Sequence, residues 1–223
     1  MEKYDIKNRL FYDGYNLDNS LLESKEFMTN LMDEVNQKIF DNKGSILIIP
    51  YFNGKIKKDG GYSGIILGNN FHFTCHSFCY KNTVFIDYYG EENQKEKLLN
   101  IIFKYFDTKD YDLGSKDKKG NFGKHIIINT KPISLSEAKE MVASILKDIS
   151  MTPINDLIVN ENNDYAFDIL QPIAESHISF HEYNDELIID VFSCKYFSVE
   201  KLISLINNYD NMIEVNRGIK YQQ

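Results

Sequence analysis

Within Ala174-Glu175-Ser176-His177-Ile178-Ser179-Phe180-His181 a carboxylate, two hydroxyls and two imidazoles sit close together, and after a short turn Ile188-Ile189-Asp190-Val191-Phe192-Ser193-Cys194 ends on a thiol. A serine hydroxyl or a cysteine thiol becomes a nucleophile beside a base, and imidazole moves protons near neutral pH. The types present suit acyl chemistry and proton transfer. An ordinary hairpin carrying a few polar residues is the plain alternative. A second group, His72, Cys75, His76 and Cys79, has the composition of a zinc site. Its surroundings, Phe71-His72-Phe73-Thr74-Cys75-His76-Ser77-Phe78, read as a strand, where roughly 3.3 Å per residue puts the histidines about 13 Å apart. Ligands with bonds of about 2.1 Å do not span that gap, and the cysteines alternate to the other face. No metal is expected, and Cys75 and Cys79 read as core.

The elements that must hold these residues occur twice. Leu10 to Tyr12 is extended, a helical pattern runs from Leu21 to Ile39 after the cap candidates Asp18, Asn19 and Ser20, and strands follow at Ser45–Phe52, Tyr62–Leu67, Phe71–Phe78 and Thr83–Tyr89. A helix through Leu98, Leu99, Ile102, Tyr105 and Phe106 closes the first half. The plan restarts after the polar stretch Asp107–Asn121. His125–Asn129 is extended, Ser134-Leu135-Ser136-Glu137 is a capping box for a helix reaching Ile149, and strands come at Ile154–Val159, Tyr165–Leu170, His177–Glu182 and Glu186–Phe192 before a helix through Val199, Leu202, Ile203 and Ile206. A shift of 105 positions carries His72 and His76 onto His177 and His181, Phe71 onto Ser176 and Ser63 onto Asp168. The division expected is therefore a repeat over 1–106, a linker over 107–121 and a second repeat over 122–223. Each half offers an antiparallel sheet with helices for one face, and the obvious cover for the other face is the second sheet. The fold class expected is α+β, a four-layer αββα sandwich.

Composition narrows the partners. The chain has 223 residues, 43% of them hydrophobic, and a formal charge of −8, which argues against a phosphate-backbone partner. Lys116, Lys118, Lys119 and Lys124 read as a solvated linker. No apolar run approaches the ~20 residues that span a bilayer, and Met1-Glu2-Lys3-Tyr4-Asp5 has no signal-like core, so neither membrane nor nucleic acid is expected and the location expected is cytoplasmic. Three cysteines are too few and too odd in number for a disulfide framework, which fits a reduced compartment.

The Glu-Ser-His register, the second histidine on that strand and the cysteine ending the next one resemble the self-cleavage site of the S-adenosylmethionine decarboxylase family. The resemblance is strongest over Gly123–Gly218 and traceable over Leu10–Phe106. It implies a self-processing enzyme that makes its own prosthetic group: the Glu175–Ser176 bond breaks and Ser176 becomes a covalent pyruvoyl group (pyruvate). Fragments 1–175 and 176–223 would stay associated. Some members of the family resemble a fused duplication of a smaller homodimeric form, and a homodimer is compatible with that pattern. In the family each active site draws on both repeats, which assigns Ser176 and the proton donor Cys194 to one and the processing residues Ser63 and His76 to the other. Phe71 stands where the first repeat would need a scissile serine, and Asp168 where the second would need a processing serine. One of two ancestral sites is then dead, and His181 belongs to it or to packing.

The chemistry implied asks for these types. The Ser176 hydroxyl attacks the preceding carbonyl, Ser63 supports the intermediate, and His76 removes the α-hydrogen so that the ester is eliminated. Phe11-Tyr12-Asp13-Gly14 resembles the family's early aromatic-acid-Gly segment, which makes Tyr12 and Asp13, together with Glu175, the substrate contacts. One departure concerns the nucleoside. His76 is followed by Ser77-Phe78-Cys79-Tyr80, where the family usually has Trp-Pro-Glu with a ribose-binding glutamate. The function implied is decarboxylation of S-adenosylmethionine for polyamine synthesis. The alternatives are a pyruvoyl-dependent ornithine or arginine decarboxylase and a non-catalytic regulator of a partner decarboxylase. Retention of Glu175, Ser176, Cys194, Ser63 and His76 argues against the last.

Overall fold

The computed structural model describes residues 7–52, 60–114, 123–163, 166–174, 176–206 and 209–218. Glu175, Tyr165, residues 115–121 of the expected linker and residue 122 lie outside the described residues. The chain divides into two units, Met1–Gly114 and Ser115–Gln223. In the first, β1 (Arg9–Gly14) leads to α1 (Asn19–Leu22), α2 (Lys25–Ile39), β2 (Ser45–Phe52), β3 (Gly60–Gly68), β4 (Phe71–Phe78), β5 (Thr83–Tyr89), α3 (Lys95–Tyr105) and β6 (Tyr111–Asp112). In the second, β7 (Gly123–Thr130) leads to α4 (Leu135–Asp148), β8 (Ile158–Asn163), β9 (Ala166–Ile173), β10 (Ser176–Tyr183), β11 (Glu186–Ser193), α5 (Val199–Leu205) and β12 (Tyr209–Arg217).

Each unit has one six-stranded sheet in which neighbours run antiparallel, in the order β2-β3-β4-β5-β1-β6 and β8-β9-β10-β11-β7-β12. Strand for strand these are the same topology. The protein is an α+β fold built from two repeats. Alternation along the strands explains which face the helices cover. Leu10, Tyr12, Ile66, Phe73, Cys75, Ile86 and Tyr88 share a core with Met28, Leu31, Met32 and Val35 of α2 and Leu98 and Ile102 of α3. In the second unit Ile126, Ile128, Ile169, Ile178, Phe180, Ile189 and Val191 do the same with Val142 and Ile145 of α4 and Leu202 of α5. Each such side chain contributes roughly 1.5–3 kcal/mol by leaving water. Gly64 lets α2 approach β3, because a Cβ there would lie 2.7 Å from both Met28 Sδ and Met32 Cε.

Caps set the helix limits. The capping box at Ser134 and Glu137 forms as the sequence predicts. The single helix expected from Leu21 to Ile39 is two, because Ser24 takes an extended conformation and its hydroxyl accepts the Phe27 N–H to start α2. The strand expected at Ile154–Val159 begins later, at Ile158. Residues before it run beside the end of β9, with Pro153 bridging Ile173 and Ile154 N–H donating to the Pro172 carbonyl. Among the described residues, no helix is long and apolar enough to cross a membrane.

On the outer face of α2, Glu34 accepts hydrogen bonds from Lys104, Lys38 and Tyr105, the lysines at 2.6 Å each. The Lys104 and Lys38 bonds hold its carboxyl down to about 2. A depressed carboxylate stabilises the fold above its unfolded value, and the contribution is lost as pH falls through the folded one. Solvent at the rim screens the cluster, so Glu34→Gln is expected to cost about 1 kcal/mol at pH 7 and almost nothing near pH 2, read by urea unfolding at both. Equal losses at the two pH values would contradict the assignment.

Candidate active site

Antiparallel pairing puts Ser176, the first residue of β10, opposite Ser193 on β11 and Ile173 on β9. Cys194 is one position beyond Ser193, so the register brings the thiol's loop beside the expected cleavage bond. Ile173 and Ser176 are partners with two residues between them, Ala174 and Glu175. The equivalent link in the first repeat, between Gly68 and Phe71, is Asn69-Asn70, and Asn70 takes the left-handed conformation at φ 59°. Asparagine tolerates that region and suits two-residue hairpins. Ala174-Glu175 has neither asparagine nor glycine. In the second repeat the unusual backbone angle stands instead at Ser176, with φ 152°, which L residues rarely adopt. The Ser176 hydroxyl is also buried and has no hydrogen-bond partner among the described residues. A rare angle of this kind costs on the order of 1–3 kcal/mol, and an unpaired buried hydroxyl adds a similar amount. Ser176 is thus held in a destabilised state on both counts.

The three thiols differ in access. Cys75 is buried in the helix-side core, where desolvation pushes its thiol far up. Cys79 is buried as well and is pushed up to about 11, by burial first and then by Glu23. Cys194 is only partly buried. Of the three thiols, Cys194 is the accessible one.

Ser63 on β3 and His76 on β4 are cross-strand partners, and Ser63 Oγ is hydrogen-bonded to His76 Nδ1 at 2.9 Å with both side chains buried. In the second repeat the partners at the same register are Asp168 and His181, where the carboxylate accepts the imidazole N–H at 2.6 Å. One repeat pairs its histidine with a neutral hydroxyl, the other with a charge. His181 is therefore tied to a buried acid that orients its ring.

Sequence reasoning missed a further pair of clusters. In the first repeat Asp87 on β5 accepts from His72 Nε2 at 2.7 Å, and Arg9 on β1 lies 3.5 Å from the same carboxylate oxygen, with its guanidinium 4.6 Å from the Tyr89 ring centre. In the second, Asp190 on β11 accepts from His125 Nε2 at 2.5 Å, with His177 Nε2 at 3.7 Å. His125 fills the place of Arg9: each is the register partner of an aromatic, Phe192 or Tyr89. Arg217 on β12 donates to His125 Nδ1 at 3.2 Å, which fixes the ring hydrogen on Nε2, facing Asp190. Buried charges persist only when paired, and the partners here are 13 to 92 residues apart in sequence. The available signal was a charged residue at an inward strand position, as at Arg9, Asp87 and Asp190.

The substrate-contact candidates fare differently. Tyr12 is fully buried, stacked on Tyr111 at 5.6 Å and packed against Phe103 and Phe106. Burial, then Tyr111 and Asp13, push its hydroxyl up strongly. Its ring reaches no ligand without leaving that core. Asp13 alternates to the opposite face of β1 and is also buried.

The profile of the S-adenosylmethionine decarboxylase family matches residues 8–119 and 129–212. Among solved structures, the crystal structure of the adenosylmethionine decarboxylase from Aquifex aeolicus VF5 aligns at 18% identity with a TM-score of 0.37, covering 44% of this chain and 91% of that one. A search of curated proteins returns no match.

Proposed function

The chain belongs to the S-adenosylmethionine decarboxylase family, pyruvoyl-dependent carboxy-lyases of polyamine synthesis, and we propose that it makes its prosthetic group by cutting its own Glu175–Ser176 bond. The observation that carries this reading is the state of Ser176, with φ 152° and a buried hydroxyl that has no partner among the described residues. Burial in that state favours attack of the hydroxyl on the adjacent carbonyl. Attack of Ser176 Oγ on the Glu175 carbonyl carbon forms the C–O bond, breaks the amide C–N bond and returns a proton to the freed amine. Ser63 supports the oxyanion of the intermediate. His76 then takes the Ser176 α-hydrogen, the ester C–O bond breaks, and the Glu175 carboxylate leaves. Water replaces the nitrogen, which departs as ammonia. Relief of about 1–3 kcal/mol of backbone strain in the first step is worth roughly a factor of 5–150 in rate.

The group so formed supplies a ketone for the substrate amine and a sink for the electrons left by carbon dioxide. Cys194 returns a proton to the substrate carbon, a task that suits the one thiol with solvent access. Asp13 and the new carboxylate of Glu175 offer polar contacts to the substrate. Tyr12 adds a stacking surface only if its ring leaves the core. Fragments 1–175 and 176–223 remain together as the working enzyme.

Carboxyl-labelled S-adenosylmethionine, ornithine and arginine distinguish the substrates. The processed protein is expected to release carbon dioxide from S-adenosylmethionine alone. Because Tyr80 stands where the family usually has a ribose-binding glutamate, the KM is expected to be raised by roughly 5–150-fold, the equivalent of about 1–3 kcal/mol for unmet hydroxyls. Release from either amino acid with none from S-adenosylmethionine would overturn the substrate assignment and leave the cleavage chemistry standing.

A further inference from the structure

The loop that carries Cys194 is closed by its own neighbours. Ser193 Oγ accepts the Lys195 N–H at 3.0 Å and donates to the Lys195 carbonyl at 2.9 Å, so that one hydroxyl brackets the cysteine from both sides. The same oxygen lies 3.5 Å from Met151 Sδ. Lys195 then reaches across, its Nζ donating to the Ser150 carbonyl at 2.8 Å. Ser150, with φ 57°, turns the chain out of α4, and Met151 is buried in the core beneath it. The next residues run against the strand that leads to the cleavage bond: the Ala174 N–H donates to the Thr152 carbonyl at 2.8 Å, Pro153 bridges Ile173, and the Ile154 N–H donates to the Pro172 carbonyl. One short segment, Ser150 to Ile154, thus holds the end of β9 on one side and the Cys194 loop on the other.

Neither Ser193 nor Lys195 has a part in the chemistry already assigned. Ser193 is fully buried, and its only described partners are the Lys195 backbone and Met151. A buried serine ending a strand is replaceable by alanine unless its hydroxyl shapes the backbone, and here it shapes the turn on which the thiol sits. We propose that Ser193 and Lys195 are positioning residues which, through the strap Ser150–Ile154, fix the Cys194 thiol relative to residue 176 so that it delivers its proton to the substrate carbon. The proposal rests on the reading of Cys194 as the proton donor. Its energetic logic is that of a donor held in one geometry: an error of about 1 Å in placing a reacting group costs on the order of 100-fold.

The test compares Ser193→Ala, Ser193→Thr, Lys195→Met and Cys194→Ala in the full chain. Cleavage is followed by intact mass, decarboxylation by labelled carbon dioxide, and thiol access by the rate of iodoacetamide alkylation across pH, located by peptide mapping. Ser193→Ala is expected to self-cleave, to lose roughly 10–100-fold in kcat with KM little changed, and to shift the alkylation profile of Cys194. Ser193→Thr keeps the hydroxyl and restores kcat to within about threefold of the parent. Lys195→Met, at an exposed position, loses several-fold with the same split. An unchanged kcat and alkylation profile in Ser193→Ala would overturn the proposal. If Ser193→Ala does not fold, Lys195→Met decides in its place, and an unaltered kcat there overturns it equally. Full activity of Cys194→Ala would instead remove the proton-donor reading, a failure distinct from that of the strap.

Discussion

Ser176→Ala is expected to purify as a single uncut chain without decarboxylase activity, while the parent protein yields two pieces, the smaller blocked to Edman degradation. The nucleophile of the proposed cleavage is gone. Intact mass gives the decisive reading. A pyruvoyl-headed 176–223 fragment is lighter than a serine-headed one by ammonia, which separates self-processing from adventitious proteolysis. The backbone angle at 176 belongs to the alanine variant as well, so strain without the hydroxyl should leave the bond whole. A parent protein that is folded and remains uncut over days would remove the processing reading altogether.

His76→Ala and Ser63→Ala are each expected to slow that cleavage by about 10²–10⁴-fold, although both positions lie about a hundred residues from the bond. In the proposed scheme, loss of the imidazole removes the base for the α-hydrogen. Loss of the hydroxyl removes support for the intermediate and the partner that orients His76, bonded at 2.9 Å. In the two variants different species should accumulate: an ester intermediate, trapped by hydroxylamine, in His76→Ala, and intact amide in Ser63→Ala. His181→Ala should process within a few-fold of the parent, because its imidazole is bound to Asp168 at 2.6 Å. The reverse pattern, normal cutting in His76→Ala and none in His181→Ala, would exchange the roles of the two repeats.

Local patterns carried most of the architecture. Period-two alternation over β4, β5, β10 and β11 and the capping box of α4 are visible as sequence because each is decided by residues within one element. The strands β6 and β12 escaped notice for the opposite reason. Tyr111–Asp112 is only two residues long, and Tyr209–Arg217 is an edge strand whose first residues face solvent, so neither shows an alternating apolar set. Side chains brought together by pairing register were the least accessible to reading. Asp190 with His125 and Asp87 with Arg9 appear as isolated polar residues until the strands are aligned. The Glu-Ser-His motif marks a bond, but only backbone geometry reveals that Ser176 bears the strain that Asn69-Asn70 avoid in the other repeat.

The strand order of the second sheet determines what the proposed cleavage would do to refolding. Residues 176–223 contain β10, β11, α5 and β12, whereas β7, β8 and β9 precede the bond. Because β7 lies between β11 and β12, and β10 pairs with β9, the two products are interleaved by three ladders of backbone hydrogen bonds. Neither can be drawn off while the sheet stands, so separation requires melting the whole unit. Once melted, the pieces must find each other by collision, and reassembly becomes second order in protein concentration. Cutting at the proposed bond would therefore make the apparent stability of the second unit depend on protein concentration, which that of a single chain does not.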